Sequence, residues 1–166
     1  VIISLNFIFR SIGLSYQEVG IALLEKNNKT FKTLRNFAFG LGIVLVCLLS
    51  FITLTPFSNI WFHKISGLSS GLTIFAIPPA QIATLLPGLT VLISLQRALL
   101  IYNKNTKPIT IASSIEIIGI FIILLVAIVE FNLIGAIAAA VAMVTGRLFA
   151  NGYLVWPCLK VLKRET

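Results

Sequence analysis

Residues 108–130 read PITIASSIEIIGIFIILLVAIVE. At about 1.5 Å per helical residue this run exceeds the ~30 Å of hydrocarbon in a bilayer. It is apolar enough to lie in lipid, yet a carboxylate, Glu116, stands inside it. Four more stretches share its character, at about 3–25, 33–55, 72–102 and 133–159. Helices are the expected form of all five. Barrel strands would be short and strictly alternating, whereas these runs are long and continuous.

Composition agrees. Of 166 residues 58% are hydrophobic and 11% charged, and mean hydropathy is +1.03. Neither an ordinary soluble domain nor a single anchor or signal peptide has that balance along its whole length. The expected class is an all-α integral membrane protein with about five transmembrane helices in one region, residues 1–166.

The net charge of +8 sits in connections rather than in a nucleic-acid-binding surface. Residues 25–35, EKNNKTFKTLR, carry Lys26, Lys29, Lys32 and Arg35; YNKNTKP carries Lys104 and Lys107; the tail adds Lys160, Lys163 and Arg164. The connections between these basic segments hold little positive charge: Lys64 beside Trp61, Phe62 and His63, resembling an interfacial aromatic belt, and then Glu130. Basic and non-basic connections alternate in step with five crossings. The positive-inside rule therefore places 26–35, 103–107 and the carboxyl terminus in the cytoplasm, with the amino end outward, in a multi-pass plasma-membrane protein. Basic loops without interleaved aromatics predict no nucleic-acid partner. The first residue is Val, with no charged segment before the first apolar run, and the expectation is a piece of a longer chain.

The third stretch is too long for one straight crossing and contains Pro78, Pro79, Pro87 and Gly88. A short interfacial helix at 69–78 followed by a span from about 80 accounts for the Pro pair. Pro87–Gly88 is a candidate helix break of the kind that lines transporter sites. In the fifth stretch Ala138, Ala142, Gly146 and Ala150 recur every four residues, a smooth face for close helix packing.

Charges inside the spans are Arg10, Glu18, Arg97, Glu116 and Arg147. Counting about 1.5 Å per residue, Glu116 lies about 13 Å from Lys107 and roughly 21 Å from Glu130, and Arg147 roughly 21 Å from Leu133. On antiparallel neighbours those depths match, which predicts a Glu116–Arg147 pair. Arg97 and Glu18 fall in the same layer, about 10–12 Å from Lys104 and Lys26. An unpaired charge there costs about 2.5–3.5 kcal/mol. Two roles stand open for the layer: an ion pair fixing helix register, or the lining of a substrate or ion pathway. Arg97 is read as snorkelling towards water, Glu18 leans towards function, and Arg10 is open.

Asp is absent, His63 is the only histidine, and no nucleophile elbow, zinc-protease helix or phosphate-binding glycine loop occurs. No enzyme activity, cofactor or metal site is expected. Cys47 and Cys158 read as small buried thiols, and the sequon at Asn28 falls in a connection assigned to the cytoplasm, where it should stay unmodified.

LRNFAFGLGIVLVCLLSFITLTPFSNIWF, and the stretch from QRALLIYNKNTKPITIASSIEIIGIF to EFNLIGAIAAAVAMVTGR, resemble the carboxyl-terminal part of the multidrug/oligosaccharidyl-lipid/polysaccharide flippase superfamily, MATE-like exporters included. The residues carrying the likeness are Thr106-Lys107-Pro108 before a long apolar helix, Leu133–Ala136 after it, and the alanine-rich last helix; LTPFSNIW is similar to the progressive-ankylosis branch. The resemblance implies a transporter of about twelve helices in two halves, working by alternating access. This chain would then supply the last five, with the amino-terminal half as partner. The implied substrate is a small organic or lipid-linked solute, with protons or sodium as candidate coupling ions, and no family binding residue transfers to a position here. The alternative function is a non-transporting membrane scaffold or assembly subunit with structural ion pairs.

Overall fold

A computed structural model describes residues 1–26 and 31–165; Asn28 and Lys29, and with them the sequon, lie outside the described residues. The elements are α1 (Ile2–Lys26), α2 (Phe31–Leu54), the single turn α3 (Phe57–Asn59) running into a π-helical turn (Ile60–Ile65), α4 (Ser70–Ile82), a 3₁₀ turn (Ala83–Leu85), α5 (Leu86–Tyr102), α6 (Lys107–Val129) and α7 (Gly135–Glu165). Among the described residues there is no strand.

Four helical stretches are long and apolar enough to cross a membrane: Phe31–Leu54, Ser70–Tyr102, Lys107–Val129 and Gly135–Lys163. The chain is an all-helical membrane protein. Helix α1 is of similar length but less apolar, because Asn6, Arg10, Gln17 and Glu18 interrupt it. α6 shows what the bilayer must cover, with Ile117 68% and Phe121 64% exposed on a helix apolar all round. In water such a surface would associate; in lipid it is already solvated.

Helix α5 is the hub. It packs against α1, α2 and α7, and Val91, Ile93, Leu95, Ala98, Leu99 and Leu100 are all buried. On α1, Gly13 faces Thr90 and Val91 while Gly20 faces Ala98, so α1 and α5 run parallel with their backbones close. Gly42 of α2 meets Gly88 of α5, where an added Cβ would lie 2.7 Å from Val46; α2 runs the other way, its Leu34 facing the Gly20–Ala98 contact. α7 joins α5 through polar bonds: Asn151 Nδ2 donates to Leu89 O (3.2 Å), besides Arg147 O of its own helix (2.9 Å), and Gln96 Nε2 donates to Asn151 O (3.2 Å). Cys158 is buried beside them, whereas Cys47 is exposed on α2, against its expected burial. α6 lies outside, almost wholly on α7.

The prolines act differently from the expectation. α4 continues through Pro78 and Pro79 to Ile82, so no break separates 69–78 from a later span. The helix tightens instead at Ala83–Leu85, and Pro87 sits in the first turn of α5. That offset follows from proline chemistry: residue 87 has no N–H to give to the carbonyl four residues back, at Ala83, and its ring crowds that carbonyl. The break therefore lies one turn ahead of Pro87, and Gly88 serves the α2–α5 crossing. The segment after α2 also departs from a plain aromatic belt. Phe62 is fully buried among Leu5, Leu49, Ala76 and Ala80, and His63 Nδ1 bonds Leu68 O at 2.6 Å.

α5 ends with Lys104 in the left-handed region (φ 53°), while Lys104 N–H and Asn105 N–H donate to Ile101 O and Leu100 O, at 2.9 Å each. This is the bonding pattern usually built on glycine. Lys104→Gly relieves about 1–2 kcal/mol of left-handed strain against about 0.4–1 kcal/mol of added unfolded-state freedom. Thermal unfolding in detergent is expected to show a small net stabilisation; a lower midpoint would contradict it.

Candidate functional site

The site is built around α7, which packs on α6 and on α5, while α5 in turn carries α1. On α7, Gly146 has no side chain to hold α6 away: a Cβ there would lie 2.9 Å from Glu116 O and 2.5 Å from Ile120 Cγ1. Gly119 of α6 faces Gly146 in turn. This close seam brings Arg147 Nη2 to 3.0 Å from Glu116 Oε1, with side chains only 11% and 14% exposed. Two charges so removed from water must be paired, since an isolated one is strongly disfavoured there.

Arg97 of α5 reaches α6. Its Nη2 donates to Ser113 Oγ (3.2 Å), and that hydroxyl donates to Ile109 O (3.1 Å). Ser113 is three residues from Glu116, on the same side of α6. Arg97, expected to snorkel, makes this interhelical bond.

Arg10 of α1 joins the layer. Arg147 is attracted by Glu116 and repelled by both Arg10 and Arg97. Three guanidinium groups thus share one region with one carboxylate. Arg10 has no hydrogen bond or ion pair among the described residues, and its Nε is buried without a partner. Glu18, expected in this layer, is not brought to it: it is exposed and has no partner among the described residues. Helical phase explains the difference. Glu18 is two residues from Gly20, about 200° around the helix, so it points away from the face that packs on α5.

Beside Arg10 lies a cavity of about 290 Å³ between α1, the α4–α5 break and α7, lined by Asn6, Arg10, Ala83, Leu86, Ala140 and Met143 among others. Asn6 is only 5% exposed, and its Oδ1 has no partner. Ala136, Ala140, Met143 and Arg147 follow one another at helical spacing along one face of α7, so the cavity wall leads down to the ion pair. A groove of about 340 Å³ between α2 and α5, lined by residues such as Ala38, Gly42, Val46 and Leu92, carries no charged group and stands apart from this chemistry. Pro87 and Gly88 are not among the residues lining the polar cavity, although the turn that Pro87 provokes is.

The sequence reading overlooked Asn6. The available signal was its spacing from Arg10: i and i+4 in an otherwise apolar stretch put two polar groups on one helical face. Among the described residues no group of three or more His, Cys, Asp or Glu could hold a metal ion. Comparison with protein-family models, with curated proteins and with solved structures finds no match.

Proposed function

We propose that this chain forms part of a multi-pass transporter that exports or flips an organic or lipid-linked solute by alternating access. Five helices cross the bilayer in this reading, with α1 as the least apolar of them. The ends bearing Arg35, Lys104, Lys107 and Lys160 face the cytoplasm of a plasma membrane, and the other half of a MATE-like transporter completes the cleft.

The observation that carries the proposal is the group of half-buried Arg10, Arg97 and Glu116 with buried Arg147, of which Arg10 lines a cavity. Charge in a membrane interior is costly, and a polar layer facing a cavity is what a translocation pathway needs. The parallel course of α1, α5 and α7, with α2 and α6 reversed, fits alternating crossings.

One observation favours the second reading, a non-transporting scaffold. Glu116 and Arg147 already satisfy each other at 3.0 Å, as a register-fixing pair would. Glu116→Gln in the complete protein separates the two. In liposomes with proton or sodium gradients, uptake of organic solutes is expected to fall roughly tenfold or more, while circular dichroism and detergent elution stay normal. Lost folding without a specific transport defect would support the scaffold.

A further inference from the structure

We propose that the cavity between α1, α4 and α7 is a binding site for an acidic amphiphile. Its anionic headgroup would lie on Arg10 and Asn6, and a short acyl chain along Ala136, Ala140 and Met143. This deepens the transport reading by naming a ligand class, but binding itself requires no transport.

Electrostatics points to an anion. Arg147 is repelled by both Arg10 and Arg97, and the carboxylate beside it is already held by Arg147 at 3.0 Å. A guanidinium cannot shed its charge, so the excess must be met by a counter-ion or by water. Arg10 is the arginine that faces the cavity, with its buried Nε unpartnered. Its planar fork of donors suits a carboxylate or phosphate oxygen pair.

Asn6 is the independent sign of a ligand. It is 5% exposed, lines the same cavity, and its Oδ1 meets no donor. Buried amides are almost always satisfied; Asn6, Gln96 and Asn151 each hold an amide oxygen without a partner, and of the three Asn6 is the one that lines this cavity. A half-turn of the amide presents either its acceptor or its two donors to that group.

The remaining walls demand an amphiphile. Ala83, Leu86, Ala136, Ala139, Ala140 and Met143 offer no hydrogen-bonding side chain, so a small hydrophilic anion would be desolvated on most of its surface. A hydrocarbon tail meets those walls without that penalty. The volume of about 290 Å³ lies at the lower edge of small-molecule sites, which suits a headgroup with a short chain rather than a two-tailed lipid.

The test measures binding to the purified protein in nanodiscs of zwitterionic lipid, with dodecanoate, dodecyl phosphate and dodecyltrimethylammonium as probes and acetate and inorganic phosphate as tail-less competitors. The two acidic amphiphiles are expected to bind saturably, the cation not to bind, and the tail-less anions not to displace them. Arg10→Gln should weaken binding roughly tenfold or more, the size expected for a lost charge-assisted bond, with Arg10→Lys recovering part of it. Met143→Trp, which fills the apolar wall and leaves Arg10 in place, should also block binding. Equal binding of anion and cation, displacement by inorganic phosphate alone, or full binding by correctly folded Arg10→Gln would each overturn the proposal. Transport of other solutes without binding of these acids would overturn the ligand class and leave the transport reading standing; binding without transport would do the reverse.

Discussion

Glu116→Leu is expected to destabilise the folded protein by about 3–5 kcal/mol, the cost of leaving one member of a buried pair alone. The partner left behind is Arg147, 9% exposed, which also feels the repulsion of Arg10 and Arg97. The reverse substitution, Arg147→Leu, should be milder. It strands a carboxyl group, which can lose its charge by taking up a proton, whereas a guanidinium cannot; it also removes the cation that Arg10 and Arg97 both repel. The double change Glu116→Leu with Arg147→Leu should recover most of the loss, because two apolar side chains leave no buried charge. Reversible unfolding in mixed detergent measures all three. Exchanging the charges, Glu116→Arg with Arg147→Glu, adds a stricter check: if it restores nothing lost in either single variant, the pair does not hold α6 on α7.

Gly146→Val should have an effect of comparable size for a steric reason. The added Cβ would lie 2.9 Å from Glu116 O and 3.3 Å from Ile120 N, both backbone atoms of α6, and 2.5 Å from Ile120 Cγ1. The isoleucine γ-carbon sits next to its own stiff β-branch, and the backbone cannot turn aside at all. Overpacking of this kind typically costs about 1–3 kcal/mol, and the further atoms of valine add to it. Because α6 has almost no other support than α7, relief comes from α6 moving outward, which also pulls Glu116 from Arg147. The expected readout is a lowered unfolding midpoint together with new protease cleavage in the α5–α6 connection. Gly152→Ala is the control, since a Cβ there meets nothing within 4 Å. It should be neutral or stabilising by roughly 0.5–1 kcal/mol, as glycine is a poor helix former. Equal damage from both substitutions would mean that close packing at the α6–α7 seam does not account for the loss.

These two predictions rest on features with different histories in the chain. Glu116 and Arg147 stand out in sequence because charge is rare in apolar runs, and depth along a helix is simple arithmetic at a fixed rise per residue. The same arithmetic placed Glu18 in the layer, and there depth was insufficient. Glu18 has the right height but points away from α5, and Arg97 turns to Ser113 on a neighbouring helix. Rise is a property of one helix; azimuth towards a partner depends on which helices adjoin it.

The prolines make the same distinction. That Pro87 disturbs a helix is local chemistry, but where the disturbance falls depends on the carbonyl four residues earlier, and the tightened turn at Ala83–Leu85 then becomes a wall of the cavity. Asn6 gave no more than a polar spacing with Arg10; its burial without a partner exists only once α4 and α7 close around α1.

By itself, then, the chain determined helical membrane structure, the approximate ends of its helices and the depth of its buried charges, because hydropathy and helical rise act locally and add along the chain. Tertiary structure alone decided that α5 is the hub, that α6 hangs on α7 through Gly146, and that Arg10 rather than Glu18 faces the interior. Those outcomes depend on relative rotation and close approach between segments far apart in sequence, which no single helix encodes.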